Sequence, residues 1–320
     1  MSILVTGGAG FIGSHFTERV LASCDEPVVC LDNFNDFYDP QLKRANIATF
    51  VENPRVTLVE GDCRNGQAMQ QLFQQHAVSR VVRLGAYAGV RPSVANPFIC
   101  EQTNIGGTLA LLEAARRFPV ERFLLISSAT VYGQPAEAPF VEDAPLGRAL
   151  SPYGASKRAA EIFGQTYFQL HRVPLVCLRP FSVYGPRLRP DLALSIWTEA
   201  ILTGKKVTLF DDGTMRRDFT HVNDICSGLL AALERPEAVG ETINLGHDEP
   251  IELRKVISIL EETSGKKAAI DYQPEKPGEM PVTHAHLAKA RRLLNYQPEI
   301  GFAEGVREFV AWFGTHRGYC

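Results

Sequence analysis

The feature that most constrains this chain is an alternation of two hydrophobic periods along its first half. Short β-branched runs at 3–6, 28–31, 56–60, 80–84, 123–127 and 175–178 alternate with amphipathic stretches at 11–21, 40–52, 67–76, 103–117 and 153–171. Strands separated by helices pair in parallel, because each helix carries the chain back to the edge where the previous strand began. Crossovers of one hand then place helices on both faces. The pattern predicts an α/β chain built on a doubly wound parallel sheet.

After Pro180 the rhythm breaks. Residues 186–190 form a proline-bounded, arginine-rich stretch expected to be a loop. Helices are expected over 192–202, 222–234, 253–264 and 303–313, with short strands at 206–210 and 242–245. This reads as a smaller C-terminal α/β lobe, with 222–245 threading back to the sheet. The expected division is 1–179 plus about 222–247 for one domain, and about 180–221 with 248–320 for the other.

A chain of 320 residues is long enough for a large core and two such parts. Its net charge of −3 gives no electrostatic footprint for nucleic acid. No apolar run is long enough to span a bilayer. The first strand begins at Ser2, leaving no room for a signal peptide. The seven cysteines are odd in number and include no Cys-x-x-Cys pair, so reduced, mostly buried thiols are expected. These readings converge on a cytoplasmic protein without membrane or nucleic-acid partners. His284 and His286 lack a third ligand nearby and are read as loop or strand residues; no metal site is expected.

Thr6-Gly7-Gly8-Ala9-Gly10-Phe11-Ile12-Gly13 follows a predicted strand and opens a predicted helix. Glycines there let the backbone turn tightly and let a pyrophosphate approach the helix N-terminus. Asp32 ends the second strand about twenty residues on, where a carboxylate would bond the ribose hydroxyls of a dinucleotide. A carboxylate at that place repels a 2′-phosphate, so NAD is favoured over NADP. The Rossmann-type site therefore takes in Gly7, Gly10, Phe11, Ile12, Gly13, Asp32 and Asn33. Asp62 and Cys63 follow the third strand, with Asp62 either an acceptor for the adenine amino group or a turn residue. Leu84 and Ala86 flank Gly85 after the fourth, where small residues let the backbone pass close to a cofactor.

Tyr153-Gly-Ala-Ser-Lys157 places a phenol and an ammonium on one face of a helix, one turn apart. Helix dipole and ammonium both favour the phenolate, drawing a weak acid toward neutral pH. The hydroxyl cluster Ser127-Ser128-Ala129-Thr130 lies between this pair and the glycine loop.

With these residues assembled, the chain resembles the extended short-chain dehydrogenase/reductase family, and within it the nucleotide-sugar epimerases. The marks are the 6–13 loop, Ser127-Ser128-Ala129-Thr130-Val131-Tyr132-Gly133, Tyr153-x-x-x-Lys157, and Met215-Arg216-Arg217-Asp218-Phe219-Thr220-His221-Val222. The stretches at 32–40 and 184–193 are most similar to the UDP-glucuronate 4-epimerases. Arg83 stands where these enzymes usually carry His, Lys276 where they more often carry Gln or Arg, and Ser182 where Thr or Asn is commoner.

The resemblance implies an isomerase working through a transient 4-keto sugar, with NAD as cofactor, a UDP-sugar as substrate and a homodimer as the assembly. Tyr153 would take a proton from a sugar hydroxyl, and Lys157 would hold the nicotinamide ribose and steady the phenolate. Ser128 would hydrogen-bond the reacting oxygen, with Thr130 as a second candidate. Ser182 and Arg217 would contact substrate, Arg217 at the nucleotide end unless an ion pair with Asp218 or Asp224 claims it. A uronate would add a carboxylate to be clamped, and Arg187 and Arg189 are the candidate cations. Dehydratases of this family place an Asp-Glu pair after the Thr in their hydroxyl cluster, and decarboxylases a Glu; here those positions hold Ala129, Thr130 and Val131. The alternatives are a UDP-glucose/UDP-galactose 4-epimerase and, more distantly, a non-catalytic NAD-binding regulator. For a dimer, Leu109, Leu112, Ala160, Phe163, Tyr167 and Leu170 are candidate interface residues, unless these faces are covered within one subunit.

Overall fold

The structure, a computed structural model, describes residues 1–274 and 280–318; Lys276 and Cys320 lie outside them. In chain order the first half holds β1 (Ser2–Thr6), α1 (Phe11–Ser23), β2 (Val28–Asp32), α2 (Pro40–Ile47), β3 (Val56–Glu60), α3 (Gly66–His76), β4 (Val78–Arg83), α4 (Val90–Ala95), α5 (Pro97–Glu101), a π turn (Gln102–Gly106), α6 (Gly107–Arg117), β5 (Arg122–Ile126) and α7 (Pro152–His171). The second half holds β6 (Leu175–Pro180), β7 (Ser182–Tyr184), α8 (Ala193–Thr203), β8 (Lys206–Phe210), β9 (Arg216–His221), α9 (Val222–Glu234), β10 (Thr242–Leu245), β11 (Pro250–Glu252), α10 (Leu253–Ser264), β12 (Ala269–Gln273), α11 (Ala288–Leu294) and α12 (Phe302–Arg317).

The predicted doubly wound sheet is present. Seven strands run in the order β10-β6-β5-β4-β1-β2-β3, and every pairing in it is parallel. β1, β2 and β5 are buried along their whole length, as strands covered on both faces must be. Successive side chains go to opposite faces: Ile3 and Val5 join one core cluster, Leu4 the other. The chain leaves β3 at one edge and returns as β4 beside β1. The order reverses there, and a crevice opens beyond the carboxyl ends of those strands.

Local chemistry fixes the helix starts that face this crevice. Asp39 caps α2 by accepting from the Gln41 amide, with Pro40 in the first turn. Ser151 does the same for α7, accepting from Gly154 ahead of Pro152. The sequence predicts a helix over 40–52, but α2 ends at Ile47. Ile47 and Phe50 instead turn into a small cluster with Ala9 and Phe34. The expected helix over 103–117 begins as the π turn and becomes α6 only at Gly107.

The second half carries two small sheets: β11-β9-β7, and the parallel pair β12-β8. β7, β9, β11 and β12 are absent from the sequence reading. Two of them are three residues long, β9 opens with Arg-Arg-Asp, and β12 is mostly exposed, so none carries an alternating signal. Among the described residues no helix is long and apolar enough to cross a membrane.

Candidate active site

The loop after β1 is set by close backbone approach. Gly7 has φ +68°, and a Cβ on it would stand 2.7 Å from the Gly85 backbone. On Gly13 a Cβ would stand 2.1 Å from the Gly7 carbonyl oxygen. The Gly85 amide bonds the Thr6 carbonyl at 2.8 Å, tying this loop to the end of β4. Gly10 caps α1 without any side-chain hydrogen bond, so no side chain competes for the free amides of that helix start.

A cleft opens above these residues. It brings together Gly7, Gly10, Phe11, Ile12, Gly13, Asp32, Asn33, Asp62, Cys63, Leu84 and Ala86, and Arg189 joins them from beyond β7. Phe37, Tyr38, Lys43, Tyr87 and Thr103 also line it, none of them anticipated from sequence. Lys43 was legible in principle as a cation just inside the helix that follows Asp32. The buried Asp32 carboxylate accepts from the Phe34 amide at 2.9 Å and from Lys43 Nζ at 3.3 Å. Burial pushes the Asp62 carboxyl up, but bonds from Arg64 and Asn33 more than offset it and hold it below its usual value.

Tyr153 lies on the first turn of α7, half-buried. Ser128, the cap of the 3₁₀ turn after β5, acts on its phenol and favours the charged form. Ser128 Oγ also accepts from the Thr130 amide at 3.2 Å and from the Thr130 hydroxyl at 3.0 Å. Ser128 Oγ thus accepts twice from Thr130, leaving its own proton to be donated elsewhere. Lys157 Nζ donates to the Ile126 carbonyl at 2.6 Å and stands 5.9 Å from the Tyr153 ring centre.

The electrostatics differ from the expectation of a phenol drawn toward neutrality by Lys157. Burial pushes the Tyr153 phenol above its ordinary value, and the groups that pull it back are Ser128, Arg189 and Arg83. Burial, and then the Arg83 charge, bring Lys157 down to about 7. Among the charges acting on the phenol, Arg189 and Arg83 are the cations that favour its anion.

The four remaining candidates are not gathered equally. Arg189 is held by Asp191 through two bonds, at 2.9 and 2.8 Å, and faces the cleft. Arg187 turns the other way: with φ +63° its guanidinium bonds both oxygens of Glu18 on α1, at 2.9 and 2.8 Å. It is a tie between the proline-bounded loop and α1, and of the two arginines it is Arg189 that lines the cleft. Ser182 opens β7, in register with Phe219. Arg217, on β9, donates to the Arg216 carbonyl at 3.0 Å. The expected alternative, an ion pair with Asp218 or Asp224, meets carboxylates already engaged. Asp218 accepts from the His247, Asp248 and Ala285 amides, and Asp224 from those of Glu299 and Ile300.

Comparison with known proteins bears directly on this site. The NAD dependent epimerase/dehydratase family matches residues 3–246. This chain belongs to that family. A UDP-glucuronate 4-epimerase of Thermodesulfobacterium geofontis (strain OPF15) is 39% identical, over 97% of this chain and 95% of that protein. The crystal structure of UDP-glucuronic acid 4-epimerase from Bacillus cereus, in complex with UDP-glucuronic acid and NAD, superposes with a TM-score of 0.93. It is 37% identical and covers 99% of this chain and 100% of that one. A dTDP-glucose 4,6-dehydratase from Streptomyces venezuelae, with NAD bound, also superposes at 0.93, at 29% identity, covering 100% and 98%.

The family cofactor fits the residues present. The glycine loop leaves a cradle that a Cβ would fill, α1 offers uncapped amides to a pyrophosphate, and Asp32 stands at the end of β2 for ribose hydroxyls. The epimerase/dehydratase fold thus accounts for the cleft, the switch point and the placing of α7 beside it.

Proposed function

We propose that this chain interconverts UDP-glucuronate and UDP-galacturonate by NAD-dependent 4-epimerisation through a transient 4-keto sugar. The observation that carries the reading is Tyr153 on the first turn of α7, with Ser128 and Arg189 both acting on its phenol to favour the charged form and Arg189 lining the cleft. Bound NAD supplies a reversible two-electron acceptor next to that contact. Tyr153 takes the proton of the C4 hydroxyl as that carbon is oxidised, and returns it after the ring has presented its other face. Ser128, fed by Thr130, hydrogen-bonds the reacting oxygen throughout. Lys157 holds the nicotinamide ribose, with the Ile126 carbonyl fixing its position. Asp32, Asp62 and the glycine loop hold the other end of the cofactor.

Arg189 is the cation for a uronate carboxylate: it is pre-organised by Asp191 and needs little reordering to bind. A 4-keto uronate is a β-keto acid that loses carbon dioxide easily, so carboxylate geometry must be controlled, and a bidentate guanidinium does that. Ser182 and Arg217 are assigned to the sugar and the nucleotide end. Ala129 and Thr130 stand where dehydratases and decarboxylases carry acids, which supports epimerisation over elimination. The rival reading, a neutral hexose on the same scaffold, is separated by incubating the purified protein with UDP-glucuronate and UDP-glucose and resolving the products. Preference for the uronate is expected; clear preference for the neutral sugar would overturn the carboxylate assignment.

We also infer a cytoplasmic homodimer with the two-part division expected from sequence. Phe98, Ile162, Phe163 and Leu170, on α5 and α7, are exposed apolar residues of the kind that a second subunit covers. Leu112 and Ala160, expected at such a surface, are buried in the chain's own core because they point at the sheet.

A further inference from the structure

Tyr153 lies on the part of α7 that has the least support of its own. The first amides of a helix have no partner inside it. In α7, Pro152 has no N–H to satisfy, the Gly154 amide goes to Ser151 Oγ at 3.1 Å, and the Ala155 amide goes to the Ser151 carbonyl at 3.0 Å. That leaves the amide of Tyr153 itself. It donates to Ser93 Oγ at 3.0 Å, on α4, 60 residues away in the chain. Ser93 is fully buried. Its hydroxyl donates to the Val90 carbonyl at 2.7 Å, so its proton is engaged and a lone pair is left for the Tyr153 N–H.

The other backbone group of Tyr153 is braced as well. Its carbonyl accepts from Ser156 Oγ at 2.9 Å, and Ser156 Oγ accepts from Asn104 Nδ2 at 2.9 Å. Asn104, in the π turn, also brackets Tyr87 on the cleft wall, accepting from its amide at 2.9 Å and donating to its carbonyl at 3.0 Å. Arg83 pins that turn to the sheet, its Nη2 donating to the Thr103 carbonyl at 2.6 Å. The Tyr153 carbonyl also lies within the helical ladder, whereas the amide precedes it. Ser93 therefore carries the greater share of the restraint on this residue.

We propose that Ser93 is a positioning residue for the reaction: its hydroxyl, oriented by the Val90 carbonyl, fixes the Tyr153 amide and with it the place of the phenol. The inference rests on Tyr153 being the base. Without that acceptor the first turn of α7 is free to fray, and the phenol spends less time in the geometry that proton transfer needs. Ser93 holds the base rather than the sugar or the cofactor, so the loss falls on kcat and not on KM.

The test compares wild type, Ser93→Ala, Ser93→Cys, Ser93→Thr and Tyr153→Phe, each loaded with NAD. The readouts are kcat and KM for whichever of UDP-glucuronate and UDP-glucose the wild type prefers, and the NAD released on denaturation. Ser93→Ala is expected to lower kcat by about 10- to 100-fold, with KM and bound NAD within about twofold of wild type. Ser93→Cys fills similar space with a weak acceptor and is expected to fall with the Ala variant, whereas Ser93→Thr keeps the hydroxyl and most of the rate. A kcat near wild type in the Ala or Cys variant, a Thr variant as slow as Ala, or a loss carried by KM or bound NAD would each overturn the proposal. Retained turnover in Tyr153→Phe would instead overturn the assignment of the base, which distinguishes the two failures.

Discussion

Tyr153 and Arg189 divide the work at the residue scale. The phenol sits in surroundings that disfavour its charge, and guanidinium groups on two other segments of the chain relieve this. Arg189 therefore bears on two kinetic quantities. Arg189→Met is expected to raise KM for UDP-glucuronate by about 10- to 100-fold, as the loss of a charge-assisted hydrogen bond implies, while KM for UDP-glucose changes little. It should also lower kcat for both sugars, because the phenol loses one of its cations. Steady-state kinetics on both substrates check this, and an equal KM change for the two would contradict it. The Tyr-Lys spacing, the hydroxyl cluster and the glycine loop were all legible in sequence, because each depends on neighbours in the chain. The choice between Arg187 and Arg189 was not. Two arginines two residues apart look equivalent until a positive φ turns one of them to Glu18, on a helix far away in sequence. Arg83 was visible only as a departure from the family pattern, since its hydrogen bond goes to a carbonyl twenty residues on.

At the scale of elements, the π turn before α6 joins the sheet, the cleft and α7. Two adjacent glycines in the same stretch test how tightly it is packed. A Cβ on Gly107 would lie 2.7 Å from Cys63 Sγ and 3.2 Å from Arg83 Nη2, whereas one on Gly106 meets nothing within 4 Å. Gly107→Ala is expected to destabilise the protein by about 1–3 kcal/mol through overpacking. Gly106→Ala should be neutral or stabilising by up to about 1 kcal/mol, since alanine is the better helix former. Thermal unfolding of the two variants decides; the reverse ranking would mean that Arg83 and Cys63 yield easily. Sequence periodicity located this helix but not its irregular first turn, because the extra residue of a π turn leaves the apolar pattern almost intact.

For the whole molecule, the parallel sheet was legible because buried strands are long apolar runs separated by helices. The second lobe was less so. Its short strands are specified by the backbone partners they meet, such as β9 between β7 and β11, rather than by their own pattern. Apolar residues that the single chain leaves in solvent, Ile162 at 57% and Leu170 at 70% exposure among them, favour a dimer. Sedimentation is expected to give a species of twice the 35.3 kDa chain mass, shifted toward monomer by Ile162→Glu. A single chain-mass species at every concentration would reject the dimer.

In 4-epimerisation one sugar carbon loses and regains the same hydrogen while Tyr153 shuttles the hydroxyl proton. UDP-glucuronate labelled with deuterium at C4, incubated with the enzyme in ordinary water, tests this most directly. UDP-galacturonate that keeps its deuterium at C4 is expected. Product that has exchanged the label for solvent hydrogen would contradict it.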